Sequence, residues 1–141
     1  MAQRPNPMVI TLPRAPLFIR AAQMAASAIA AQLDLTYDRV CDIRTAVGEA
    51  CECLAALSPS ESRATIGLSL LVDGSKLSIS VKQRGPQRVA ADFQDGGSAL
   101  RLALLAELVD EIHIADDGQG GTCLTMYCRL ASTGPDGGPR H

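Results

Sequence analysis

From Val40 to Leu57 apolar residues recur at alternating steps of three and four, at Val40, Ile43, Val47, Ala50, Leu54 and Leu57, which is the stripe of an amphipathic helix. Thr36 stands just ahead of it as an N-cap, Asp38 sits in the first turn where a carboxylate suits the helix dipole, and Ser58-Pro59-Ser60 ends the run. Upstream, the alanine-rich stretch 17–32 places Phe18, Ala21, Met24 or Ala25, Ala28 and Gln32 at helical spacing, behind a Pro16 suited to a first turn. It predicts a helix whose small side chains allow close packing on a neighbour, with Asp34-Leu35 as the connection. A further helix is expected from a Ser98 cap through Val109. Its residues Ala99, Leu100, Leu102, Ala103, Leu104, Leu105, Ala106 and Leu108 are apolar nearly all round, so this helix is expected to be mostly buried.

The remaining patterns have the period of strands. Met8 to Leu12 reads as an edge strand closed by Pro13, which cannot donate to a ladder. Segments 64–72 and 76–81 flank Asp73-Gly74-Ser75, and the second alternates Leu77, Ile79, Val81 against Ser78, Ser80, Lys82, so a hairpin with one wet face is expected. Strands follow at 111–115 and 122–130 around a glycine-rich turn at 116–121. Between Gly85 and Gly97 the pattern dissolves into a polar loop. The order β-α-α-β-β-α-β-β lacks strict alternation. It predicts an α+β two-layer sandwich, a mixed, mostly antiparallel sheet with helices on one face, and Leu54 and Leu102 in the shared core.

A length of 141 residues fits one domain, assigned to residues 1–130, with a disordered tail at 131–141. Apolar residues at 47% and charged residues at 20% place the chain among globular proteins. A net charge of −2, no basic cluster and four aromatic residues argue against direct nucleic-acid binding. No apolar run is long enough to span a membrane and no leader pattern is visible, so a cytoplasmic protein is expected. The five cysteines, Cys41, Cys51, Cys53, Cys123 and Cys128, read as reduced thiols and mostly as small buried hydrophobes, and no metal site is expected from them.

Glu49 is the first residue with a claim to chemistry. By spacing alone it belongs to a solvated stripe with Asp42, Thr45 or Ala46, and Cys53. Its surroundings carry more. Ala46-Val47-Gly48-Glu49-Ala50-Cys51-Glu52-Cys53 resembles the Ala-Val-x-Glu-Ala-x-x-Asn helix of the anti-sigma-factor serine kinases, members of the GHKL (histidine-kinase-like) ATPase superfamily. Val81 to Gln87 is similar to the family's Val-x-Asp-x-Gly-Pro-Gly, and Gly97-Ser98-Ala99-Leu100-Arg101-Leu102 to its Gly-x-Gly-Leu-x-Leu. Leu108 to Ile112 and Gly121 to Met126 resemble its last two strands; apart from Thr122, which matches a nucleotide-adjacent position, those two segments read as core packing.

The resemblance implies that Glu49 polarises the attacking hydroxyl or water, that position 53 holds magnesium, that position 83 anchors adenine, and that Gly85, Gly97 and Thr122 adjoin the nucleotide. This sequence departs from the pattern at four of its points: Cys53 replaces Asn, Gln83 replaces Asp, and Gln87 and Ala99 replace glycines. ATP and magnesium binding is therefore expected to be weak, since magnesium prefers hard oxygen ligands. The expectation that follows is an anti-sigma regulatory protein, commonly a homodimer in this family, that binds a sigma factor and/or an anti-sigma-factor antagonist. The alternatives are an active serine kinase acting on such an antagonist, with Glu49 as base, and a pseudo-ATPase scaffold with an unrelated partner.

Overall fold

The computed structural model describes residues 6–55, 65–84, 96–116 and 121–130. The expected features at Leu57 to Ser60, the body of the loop 85–95, most of the turn 116–121 and the tail 131–141 lie outside the described residues. Eight elements follow in chain order: β1 Met8–Pro13, α1 Pro16–Ala30, α2 Tyr37–Ala55, β2 Thr65–Asp73, β3 Lys76–Arg84, α3 Gly96–Leu108, β4 Glu111–Asp116 and β5 Thr122–Arg129.

The five strands form one sheet in the order β1-β2-β3-β5-β4, and every pairing is antiparallel. Topology explains why no parallel pair remains. Two helices between β1 and β2 reverse the chain an extra time and bring β2 back antiparallel. The single helix between β3 and β4 returns β4 parallel to β3, but β5 inserts between them. The turn of the β2–β3 hairpin places Gly74 at φ +63°, in the left-handed region that favours glycine.

The core lies between the sheet and the helices. Ile66, Leu68 and Leu70 of β2, Leu77, Ile79 and Val81 of β3, and Leu124, Met126 and Cys128 of β5 point to the helix side. From the helices, Ile43, Val47, Ala50 and Leu54 of α2 meet them, all fully buried, as the three-four spacing predicts. Thr36 caps α2, its hydroxyl accepting from the Arg39 amide at 3.2 Å. Asp34 precedes it at φ 59°, a left-handed position that Asp tolerates better than most residues.

Two helices differ from expectation. α1 buries Ile19, Ala22, Ala26 and Ala30, whereas Ala21, Met24 and Ala28 face outward. The buried stripe is thus one position away from the predicted one, because neighbouring alanines weigh equally in an apolar pattern and the bulk of Ile19 decides the rotation. α3 begins at Gly96, so Ser98 is inside the helix and not its cap. It is also not mostly buried: Leu105 is fully buried and Leu102 and Leu108 rim the core, but Leu100 and Leu104 are exposed. A two-layer sandwich covers one face of a helix, and α3 packs on α2 and leaves its other apolar face open.

Asp110, between α3 and β4, ties three elements together. Its Oδ2 accepts from the Arg129 amide at 2.6 Å and from Arg39 Nη2 at 3.1 Å. The Arg129 amide first, and Arg39 second, hold this carboxyl below the ordinary range of Asp. A depressed folded-state pKa means that the stabilisation is complete above the unfolded value, near 4, and is lost as pH falls through the folded value. Asp110→Asn is expected to cost about 0.5–1 kcal/mol at neutral pH, screened by the half-exposed setting. Urea midpoints measured from pH 7 down to pH 3 should converge for wild type and variant; parallel curves would contradict this role.

Candidate functional site

Glu49 and Cys53 stand one turn apart on α2 and differ sharply in environment. Cys53 is fully buried within the core. Glu49 is partly exposed, and its Oε1 accepts from Arg101 Nη1 of α3 at 3.0 Å. The carboxylate expected to polarise a hydroxyl is therefore engaged by a guanidinium that joins α2 to α3. On the α1 side of Glu49 lies a cavity of about 230 Å³ lined by Ile19, Gln23, Thr45, Gly48, Glu49 and Glu52. Gly48 makes room here. A Cβ on it would stand 2.9 Å from Gln23 Cδ, and the Gln23 amide uses that space to donate to the Arg44 carbonyl at 3.1 Å.

Gln83 and Thr122 are the two buried polar side chains among the described residues, and the β3–β5 register sets them opposite each other. Gln83 Nε2 donates to the Leu54 carbonyl at 2.7 Å. Arg14 Nη1 donates to the next carbonyl, Ala55, at 3.0 Å. Carbonyls toward the C-terminal end of a helix carry the negative end of its dipole, and here an amide and a cation meet the last two described carbonyls of α2.

The structure thus brings together Gln83, Thr122 and the turn of α2 that contains Cys53, and it links Glu49 to α3. Gly97 lies in the first turn of α3, and Gly85 is outside the described residues. Two residues of the site escape sequence reasoning. Arg101 carries a signal in the sequence, because it is the one cation of a helix whose other charged residue is Glu107. Arg14 carried no signal, since its partner is 41 residues away.

The cysteines fall into two groups. Cys51, Cys53 and Cys128 are buried, and Cys41 and Cys123 are partly exposed. Burial pushes the Cys51 thiol up to about 12 and the Cys128 thiol up to about 11, which keeps both protonated and inert at neutral pH. No cluster of three or more His, Cys, Asp and Glu suited to a metal ion occurs among the described residues. No described helix is long and apolar enough to cross a membrane.

The chain matches the Histidine kinase-like ATPase domain over residues 12–128. It is 27% identical over 139 residues to the serine-protein kinase RsbW of Halalkalibacterium halodurans, covering 87% of this chain and 83% of that protein. Its fold is similar to the solved RsbU and RsbW domains of a Mycobacterium tuberculosis protein, with a TM-score of 0.64 and 23% identity. That alignment covers 89% of this chain and 32% of the solved one, so it concerns the fold of one part of a longer protein. With the motif helix, the sheet order and the family match in agreement, this chain belongs to the histidine kinase-like ATPase domain family.

Proposed function

We propose that this chain is an anti-sigma regulatory protein of the cytoplasm that binds a sigma factor and/or an anti-sigma-factor antagonist through its domain at residues 1–130, as a homodimer, with nucleotide chemistry weakened or lost. The observation that carries this reading is the fate of the two replaced ligand positions. Gln83, at the adenine-anchor position, spends its amide on the Leu54 carbonyl, and Cys53, at the magnesium position, is a thiol sealed in the core. A buried sulfur does not suit magnesium, which takes oxygen ligands in near-octahedral geometry, so the residues present do not fit this ion. Phosphoryl transfer relies on such a metal and on positioned dipoles, so its loss removes most of the rate.

One observation favours the second reading, an active serine kinase. Glu49 is retained on a half-buried helix face, where a carboxylate within hydrogen-bond reach of a hydroxyl serves as a base. Calorimetry with ATP, with and without magnesium, separates the two: weak or undetectable heat is expected, and low-micromolar affinity for the magnesium complex overturns the proposal. Phosphate transfer to a co-purified antagonist, run on wild type and Glu49→Gln side by side, is the companion test. Background transfer by both is expected; a wild-type signal that falls by about 10²–10⁴ in the variant would establish the kinase.

A further inference from the structure

We propose that the face of the sheet turned away from the described helices carries a ligand site, centred on Lys82, for a compact anion bearing a phosphate or carboxylate group. A cavity of about 530 Å³ opens on this face between β1, β2, β3 and β5. It exists because the middle of the sheet presents small side chains there, Gly67, Ser69 and Ser80 among them, and its volume falls within the roughly 300–1,000 Å³ of ordinary small-molecule sites.

The chemistry of the lining selects the ligand. Hydroxyls come from Thr11, Thr65, Ser69 and Ser80, a thiol from Cys123, an ammonium from Lys82 and an apolar side chain from Val9, and no carboxylate among the described residues lines the cavity. Lys82 stands opposite Cys123 in the β3–β5 register, and the Ser80 and Thr125 hydroxyls meet at 3.2 Å beside them. This donor set opposes a metal cation, which needs oxygen anions, and an apolar ligand, which would strand the hydroxyls. It suits an anion that takes one charge-assisted hydrogen bond and several neutral ones.

The contrast with the chain's other lysine sharpens the point. The sequence contains two lysines, Lys76 and Lys82, six residues apart in β3 and on the same face of it. Lys76 rests over the Tyr127 ring at 4.5 Å. No described residue holds the Lys82 ammonium. Strand alternation makes this site separate from the one around Glu49: Lys82 and Cys123 face away from the helices, and their neighbours Gln83 and Thr122 face the core.

The test is a titration of ¹⁵N-labelled protein at constant ionic strength, with inorganic phosphate in one arm and malonate in the other. Saturable shifts are expected at the amides of Ser80 to Lys82 and Cys123 to Thr125, and the arm with the tighter binding identifies the anionic group. Lys82→Gln should weaken binding about tenfold or more, the loss of one charge-assisted hydrogen bond, while Lys82→Arg and Lys76→Gln should retain it. Unfolding midpoints of the three variants, all on a solvated face, establish that the fold is intact. The proposal is overturned by the absence of saturable shifts with both anions, by equal affinity in Lys82→Gln, by shifts confined to the first turn of α3, or by shifts that follow protein concentration, which would mark this face as a contact between copies.

Discussion

Gln83→Asp is expected to destabilise the fold by about 3 kcal/mol or more, although it restores the residue that the family carries at this position. Gln83 is fully buried and its amide donates to the Leu54 carbonyl at 2.7 Å. Asp is shorter by one methylene and, when ionised, only accepts. It would leave that carbonyl without its donor and set a second acceptor near it, away from water. The new carboxyl would have its folded-state pKa raised, so the penalty is largest at neutral pH and shrinks as pH falls through that value. Urea unfolding at pH 7 and pH 5 measures both effects, and an unchanged midpoint at pH 7 would refute the capping role. The consequence for engineering is direct. Cys53→Asn with Gln83→Asp rewrites the family's motif, but it places two polar groups in a finished core, so any gain in nucleotide affinity has to be measured on a variant shown to be folded.

Leu105→Ala should cost about 2–5 kcal/mol, against roughly 0.5 kcal/mol or less for Leu104→Ala, one residue away on the same helix. Leu105 is the fully buried side chain of α3, while Leu104 is 49% exposed. Deleting the former leaves a cavity between α3 and α2, and the exposed neighbour leaves none. Because Arg101 and Glu49 are the polar link between the same two helices, the loss should be concentrated in α3. Hydrogen exchange resolved by residue would show the amides of α3 losing protection ahead of those of β3. Equal destabilisation by the two substitutions would mean that α3 does not pack as described.

The two substitutions also mark what the sequence makes legible. α2 was readable because Ile43, Val47, Ala50 and Leu54 stand out against polar neighbours, and because Thr36 supplies a cap of local origin. The β2–β3 hairpin was readable from alternation and from Gly74. In α3 the apolar residues run nearly all round, so the pattern states that a helix forms and leaves its orientation to tertiary packing. The same holds for α1, where alanines on adjacent positions made the buried stripe ambiguous by one residue. The fold class does not depend on either rotation, since element order and strand period are insensitive to how a helix is turned.

At the candidate site the motifs identified positions and missed partners. Glu49, Cys53, Gln83 and Thr122 were found by their neighbours in sequence. That Gln83 reaches Leu54 across 29 residues, and Arg101 reaches Glu49 across 52, are tertiary facts with no local trace. Those partners decide the chemistry. An uncommitted glutamine at an adenine position and a glutamine that closes a helix are identical in sequence.

The closure of α2 has a kinetic side. Its first turn is capped from three residues away, by Thr36, and forms with the helix itself. Its last turn waits for Arg14, 41 residues earlier, and for Gln83, 29 residues later. Closing loops of that length costs chain entropy that a local cap avoids, and a helix end frays until its carbonyls find partners. The last described turn of α2 is therefore expected to gain protection from hydrogen exchange later in refolding than the first, once β1 and β3 have both docked. The turn that contains Cys53 thus couples one end of α2 to two strands of the sheet, so that a change in the position of β1 or β3 is felt at this turn first.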